Sequence, residues 1–269
     1  MEYAVSAHDL TKSYGGALAL DGICFDVAVG ETFGLLGANG AGKTTTLECL
    51  LGVSRPDAGS VRVLGMDPRV RRKELFQRVG VQFQEARYQD KITVDELCRA
   101  TRALYREADD LVRLLERFGL AGIRSQAVES LSGGQRQRLF VVLALIPRPD
   151  VVFLDELTTG LDVKARRDVW NLLDEMRRQG MTIVLTSHFM DEVEALCDRV
   201  AILRAGRIVF SGTVAEAVAS GPFADFEEAY LAYAEAADTA ESAAPVGADA
   251  SAAPVHPVQS AEGGAHENL

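Results

Sequence analysis

Apolar residues along this chain recur with two periods, and the period changes abruptly at a few places. Residues 3–10 alternate loosely, as a strand does. Residues 11–16 read as a turn, and 23–29 form a second strand with its Ile, Phe and Val facing inward. Residues 33–36 are a strand core and 45–51 continue as a helix. Beyond it, 59–65 make a short strand bounded by glycines, 71–79 a short basic helix, and 79–84 a strand ending in polar residues. From about 93 to 146 the helical period takes over. Leu111, Leu114, Leu115 and Phe118 fall at i, i+3, i+4 and i+7, one amphipathic face. Short apolar runs then return. Residues 151–154 close on Asp155 and Glu156, as a buried parallel strand would. Residues 164–179 form a helix with Val169, Leu172, Leu173 and Met176 on one face, and Gly180 ends it. Trp170, beside that stripe, reads as a packing residue. Residues 182–187 are another buried strand with His188 at its carboxyl end, a helix runs through Cys197, and strands follow at 200–203 and 207–210. The pattern predicts an α/β fold. It has a mainly parallel sheet, an antiparallel β part at the N-terminus, and an α-helical subdomain inserted between strands and projecting from the sheet.

Between the strand at 33–36 and its helix lies Gly37-Ala38-Asn39-Gly40-Ala41-Gly42-Lys43-Thr44, which fits G-x-x-x-x-G-K-[ST]. The glycines let the backbone bend until successive N–H groups point into one concavity, an anion nest. The helix that opens near Gly42 adds the positive end of its dipole to the same spot. Lys43 can reach the β- and γ-phosphates of a nucleotide, and the Thr44 hydroxyl can ligate Mg²⁺. Strand, loop and helix in that order are what the motif requires, so a phosphate-loop NTPase core is the expectation.

Two further motifs narrow the chemistry. The strand at 151–154 places Asp155 at its tip, near a Mg²⁺ held by Thr44, and sets Glu156 beside the γ-phosphate to orient or deprotonate a water. Leu131-Ser132-Gly133-Gly134-Gln135 opens another helix, with Ser132 as N-cap and two glycines exposing backbone N–H groups. This second anion site carries no catalytic group of its own. One phosphate loop and one extra anion-binding helix start in the same chain suggest a two-fold dimer. In it, each LSGGQ closes over the other chain's nucleotide.

With these motifs the chain resembles the ATP-binding subunit of an ABC transporter, from about residue 3 to 215. The resemblance implies ATP and Mg²⁺ as ligands. It implies a nucleotide-binding set of Gly37, Asn39, Gly40, Ala41, Gly42, Lys43, Thr44 and Thr45, with Glu156 and His188 as catalytic groups. Tyr14, which the residues alone place in a solvent-facing turn, looks like the aromatic that stacks on adenine. Gln84 resembles the glutamine that touches the Mg²⁺ or the attacking water and moves with the membrane partner. Gln82 lies two residues earlier, so the choice rests on the family's Phe-Gln order. The implied metal set is Thr44, Gln84 and Asp155. Ser132, Gly133, Gly134 and Gln135 would contact ATP in trans. Thr159-Gly160-Leu161-Asp162 is similar to the loop that crosses the dimer interface, and His188 to the histidine that contacts the γ-phosphate. The family usually has proline after the catalytic glutamate; here it is Leu157, which puts loop rigidity in question. LLGANGAGKTTTLECLLG followed by RPDAGSVRVLG is similar to the subunits of prokaryotic exporters of drugs, lipids or polysaccharides.

Composition limits the alternatives. Net charge is −11. Six acids and no Lys or Arg follow Ala234, which leaves the rest at −5, without the basic excess of a nucleic-acid binder. Residues 234–269, rich in Ala, Pro, Ser and Gly, read as a disordered acidic tail after an ATP-binding domain at 1–233 whose helical subdomain spans about 93–146. Four scattered cysteines without a C-x-x-C pair read as buried free thiols. No apolar run reaches the roughly 20 residues of a membrane span. The expectation is therefore a peripheral subunit on the cytoplasmic face of the membrane, working with a separate transmembrane permease and pairing as a homodimer through an ATP sandwich. A soluble ABC ATPase acting in translation or DNA repair is the alternative, disfavoured by a single nucleotide module and the absence of heptads.

Overall fold

A computed structural model describes residues 3–82 and 88–235. In chain order the first elements are strands β1 (Tyr3–Tyr14), β2 (Ala17–Ala28) and β3 (Thr32–Gly37), then helix α1 (Lys43–Leu50). Strand β4 (Ala58–Val63), helix α2 (Arg72–Leu75) and strand β5 (Val79–Gln82) follow. Three helices come next: α3 (Val94–Arg102), α4 (Leu111–Arg117) and α5 (Gly133–Leu145). Then β6 (Val151–Asp155), α6 (Val163–Arg178), β7 (Thr182–Thr186) and α7 (Met190–Leu196) alternate. The last elements are β8 (Arg199–Arg204), β9 (Arg207–Gly212), α8 (Val214–Ala219) and α9 (Phe226–Glu235).

Two sheets result. β2-β1-β4 is antiparallel, and β5-β6-β7-β3-β8-β9 is parallel except for its last pair. The central strands β3, β6 and β7 are buried along their whole length, which their unbroken apolar runs require. Strand alternation then divides their side chains between two cores. Phe33, Leu35, Val151, Phe153 and Val184 face α1 and the antiparallel sheet, where Phe25 stacks on Phe33 at 5.3 Å. Val152, Leu154, Ile183 and Leu185 face the helices. Each such burial contributes roughly 1.5–3 kcal/mol.

Several expectations change. The turn expected at 11–16 shrinks to Gly15-Gly16, both at positive φ (56° and 87°), so β1 and β2 run to the tip of a tight hairpin. The helix expected at 71–79 is only the one-turn α2, and the strand end expected at 83–84 lies outside the described residues. The helices of 94–145 do not form a core of their own. Their Cys98, Leu115, Leu139 and Val142 join one cluster with β6, β7 and α6, because α5 lies along the helical face of the sheet. Cys24 is exposed rather than buried: a register shift in β1 around Asp9 (φ 49°) leaves its thiol within 3.0 Å of the Asp9 N–H at the surface. Ala234 and Glu235, expected in the tail, belong to α9, and the tail expected from 236 on lies outside the described residues.

Parallel pairing puts the ends of β5, β6, β7 and β3 at one edge, where open α/β sheets hold their ligands. Gln82, Asp155, Thr186 and Gly37 are the last residues of those strands.

Candidate active site

The loop after β3 is shaped by glycines that nothing else can replace. Gly37 (φ 150°) and Gly42 (φ 110°) are crowded by backbone. A Cβ would lie 2.5 Å from the Leu203 carbonyl at Gly37 and 2.8 Å from the Ala19 carbonyl at Gly42. Gly206 N–H donates to the Ala41 carbonyl (3.1 Å), tying the loop to the β8–β9 turn. Gly42 caps α1 without a side chain, so the first N–H groups of the helix face the loop with no intrahelical acceptor. Lys43 is 7% exposed, and its Nζ donates to the carbonyls of Gly37 (2.7 Å) and Ala38 (3.1 Å). Burial pushes its pKa below the ordinary lysine value, and the Glu156 and Asp155 carboxylates oppose that shift. Asn39, Gly40, Gly42, Lys43, Thr44 and Thr45 line a cavity of about 350 Å³ with Glu156 and, unforeseen from sequence, Ala19 of β2.

Glu156 reaches that cavity through a strained backbone. Its φ is 49°, a left-handed conformation that costs a non-glycine residue of order 1–3 kcal/mol. Thr186 holds it there, since the Glu156 N–H donates to the Thr186 carbonyl (3.2 Å) and Oγ1 (3.0 Å). The Thr186 hydroxyl donates to Asp155 Oδ1 (2.6 Å), and the Asp155 N–H donates to Gln82 Oε1 (3.0 Å). Gln82 thus fixes the acid pair, while Gln84 lies outside the described residues. The only sequence signal for Gln82 and Thr186 was a polar residue closing an apolar strand. His188 Nδ1 lies 3.9 Å from Glu156 Oε1. Its ring rests on Phe189 (4.2 Å), which in turn lies under the Arg166 guanidinium (4.0 Å). Leu157, where the family has proline, is buried in the helical core, so apolar packing supplies the rigidity of that loop.

Lys43, Thr44, Asp155, Glu156 and His188 therefore come together from three strand ends. Tyr14, Ser132, Gly133, Gly134, Gln135 and Asp162 do not line the cavity. Ser132 caps α5 in a reciprocal box: its Oγ accepts the Gln135 N–H (3.3 Å), and its N–H donates to Gln135 Oε1 (2.9 Å). A Cβ on Gly133 would lie 3.7 Å from the Gly160 carbonyl, so this helix start adjoins the 159–162 loop, where Asp162 caps α6. Tyr14 ends β1 half-exposed, its hydroxyl on Ser54 Oγ (3.0 Å) and Glu48 Oε2 (3.4 Å).

Among the described residues no group of three or more His, Cys, Asp or Glu could hold a metal ion. One carboxylate (Asp155) and one hydroxyl (Thr44) suit a Mg²⁺ that takes its other ligands from phosphate and water. No helix among the described residues is long and apolar enough to cross a membrane.

The family model described as "ABC transporter" matches residues 20–159. Nod factor export ATP-binding protein I of Paraburkholderia xenovorans (strain LB400) is 41% identical over 81% of this chain and 74% of its own length. The daunorubicin/doxorubicin resistance ATP-binding protein of Streptomyces peucetius is 35% identical over 79% and 66%. A probable multidrug ABC transporter ATP-binding protein of Escherichia coli (strain K12) is 38% identical over 79% of this chain but only 37% of its own length. The solved "ATP binding subunit of ABC transporter" superposes with a TM-score of 0.79 at 25% identity, covering 86% of this chain and 99% of that one.

Proposed function

The chain belongs to the ABC transporter family as an ATP-binding subunit, an ATPase that works with transmembrane partners, and from that premise we propose that it drives export through a separate permease. The names of the relatives support the direction: Nod factor export, multidrug transport and drug resistance are their functions. The observation that carries the catalytic reading is that Lys43 and Glu156 line one cavity at the carboxyl edge of the sheet, with His188 Nδ1 3.9 Å from Glu156 Oε1.

In this reading Gly37, Asn39, Gly40, Ala41, Gly42, Thr45 and the Lys43 ammonium cradle the ATP phosphates. Thr44 and Asp155, with Gln84, hold Mg²⁺. Mg²⁺ held there would supply charge neutralisation to the phosphates. Glu156 orients or deprotonates the attacking water, and His188 contacts the γ-phosphate. Tyr14 stacks on adenine. Ser132, Gly133, Gly134 and Gln135 close over the nucleotide of a second copy, with Asp162 crossing between the two. The ATP-binding domain spans 1–233, with 93–146 as its helical part and 234–269 as a tail. The subunit then sits peripherally at the cytoplasmic face of the membrane.

Copurification of tagged protein from membranes tests this reading. A polytopic membrane protein is expected to come with it, and deletion of that partner's gene is expected to release the subunit into the soluble fraction. Membrane retention unchanged without the partner would overturn the proposal.

A further inference from the structure

Behind the cavity lies a buried polar cluster that the reading above does not use. Glu192, in the first turn of α7, is 2% exposed. Its carboxylate is occupied from two other elements. Trp170 Nε1 of α6 donates to Oε1 at 3.0 Å, and the Ser187 hydroxyl, just past β7, donates to Oε2 in a short hydrogen bond. Ser187 Oγ also accepts the Phe189 N–H at 3.0 Å. Thr158, two residues past Glu156, is fully buried.

A carboxyl group in such a place is costly unless the bonds it makes matter. Burial pushes its pKa up, with the Ser187 bond working against that shift. α7 already packs through Val193 and Leu196, so an apolar residue at 192 would serve the core as well. What an apolar residue could not do is bind the two flanks of His188. Ser187 is held through its side chain and Phe189 through its N–H, and the imidazole sits between them. The chain Trp170–Glu192–Ser187–Phe189 runs from α6 to the loop that carries His188.

We propose that Glu192 is a positioning residue for hydrolysis, fixing His188 relative to Glu156 across their 3.9 Å separation. The proposal rests on the reading of Glu156 and His188 as the groups at the reacting phosphate. Glu192 does not line the cavity; it acts through Ser187.

Three variants of the full chain test it, with kcat and KM for Mg·ATP measured for each. Glu192→Leu keeps the volume but leaves the Trp170 and Ser187 donors unpaired. Turnover is expected to fall about 10- to 100-fold, as for a misplaced reacting group, with KM changed less than about two-fold. Glu192→Gln can accept from Trp170 through its carbonyl and donate to Ser187 Oγ through its amide, so it is expected to stay within about three-fold of wild type. Ser187→Ala breaks the chain without touching α6, and carries the test if Glu192→Leu does not fold. It is expected to lower kcat like Glu192→Leu while leaving the emission of Trp170, the sole tryptophan, unchanged; Glu192→Leu is expected to shift that emission. Folded Glu192→Leu and Ser187→Ala that keep wild-type kcat, or that raise KM as much as they lower kcat, would overturn the proposal, as would a Glu192→Gln that loses as much turnover as Glu192→Leu. Glu156→Gln and His188→Ala in the same assay separate the two levels. If both turn over ATP at the wild-type rate, the underlying reading fails. If they do not, and Glu192→Leu and Ser187→Ala do, only the positioning role fails.

Discussion

Two helix starts in this protein offer backbone N–H groups to an anion, and they are built in opposite ways. α1 begins at Gly42, in a left-handed conformation, with no side chain capping it. Its first donors depend on whatever occupies the loop, and the loop around them is shaped by contacts from β2 and β8. α5 begins at Ser132 inside a closed capping box, so Ser132 and Gln135 satisfy each other within four residues. Only the N–H groups of Gly133 and Gly134 are left without an intrahelical acceptor. A site of the first kind binds a polyanion by itself. A site of the second kind is stable alone and adds two donors to a ligand that something else already holds. In the proposed function this difference gives one chain a use for both, the second adding its donors to the nucleotide of a second copy.

The largest expected effect separates the two starts by freezing the reaction between them. Glu156→Gln keeps the shape of the side chain and removes its basic oxygen, so hydrolysis is expected to fall roughly 10²–10⁴-fold. Binding survives, because Lys43, Thr44 and the loop are untouched, and the uncleaved γ-phosphate stays available to the partner's α5. Sedimentation is expected to show a dimer with Mg·ATP and a monomer with Mg·ADP. Adding Gly133→Asp is expected to abolish the dimer, since a carboxylate at that helix start repels the phosphate. Wild-type turnover by Glu156→Gln, or a monomer at saturating ATP, would sink both the role of Glu156 and the division of labour between the helices.

The same contrast decides what could be read from the sequence. The phosphate loop and the Ser132 N-cap of α5 were legible, since their partners lie within a few residues. The apolar runs of β3, β6 and β7 were legible because burial on both faces leaves no polar position. The supports of the acid pair were not. Gln82 meets Asp155 across 73 residues and Thr186 meets Glu156 across 30, and no local period encodes such pairs. Trp170 read as packing alone for the same reason, since its acceptor is 22 residues away. The hairpin of β1 and β2 was misjudged in extent because Thr11, Lys12 and Ser13 look like turn residues yet are half-buried or exposed positions of a paired strand.

A smaller effect compares glycines at the two starts. Gly42→Ala imposes a left-handed φ on alanine and drives its Cβ to 2.8 Å from the Ala19 carbonyl. The loop must shift, and strain of about 1–3 kcal/mol translates into nucleotide binding weaker by roughly 10- to 100-fold. Gly134→Ala sits in helix, with its Cβ 3.4 Å from Ala165 Cβ, and folds without strain. Its nucleotide affinity as a monomer is expected to be unchanged, and only the ATP-dependent dimer to weaken. Equal losses of affinity in the two variants, measured by titration calorimetry, would erase the distinction.

The smallest effect is a difference in acid sensitivity. The surroundings of α1 are strapped from the antiparallel sheet by Asp57, whose carboxylate accepts from the Ser13 N–H and hydroxyl (2.7 Å each) and from Lys12 Nζ (3.1 Å). The Ser13 bonds, then Lys12, hold its pKa at about 2, below its ordinary value of 3.8. A carboxylate whose pKa is depressed on folding binds fewer protons in the native state than in the unfolded one. Its contribution is complete above the unfolded value and drains away as pH falls through the folded one. The window therefore runs from about pH 4 down to about 2. The capping box of α5 is made of Ser and Gln, has no ionisable group, and should not respond in that window. Asp57→Asn retains an acceptor for Ser13 but cannot titrate. The melting temperature of wild type minus that of Asp57→Asn is thus expected to be positive at pH 5 and to shrink toward zero by pH 2, other carboxylates cancelling in the difference. Because Asp57 is 44% exposed, salt should diminish the gap at pH 5. A difference that stays constant from pH 5 to 2 would mean that the charge of Asp57 contributes nothing, and that neutral contacts alone hold the α1 side.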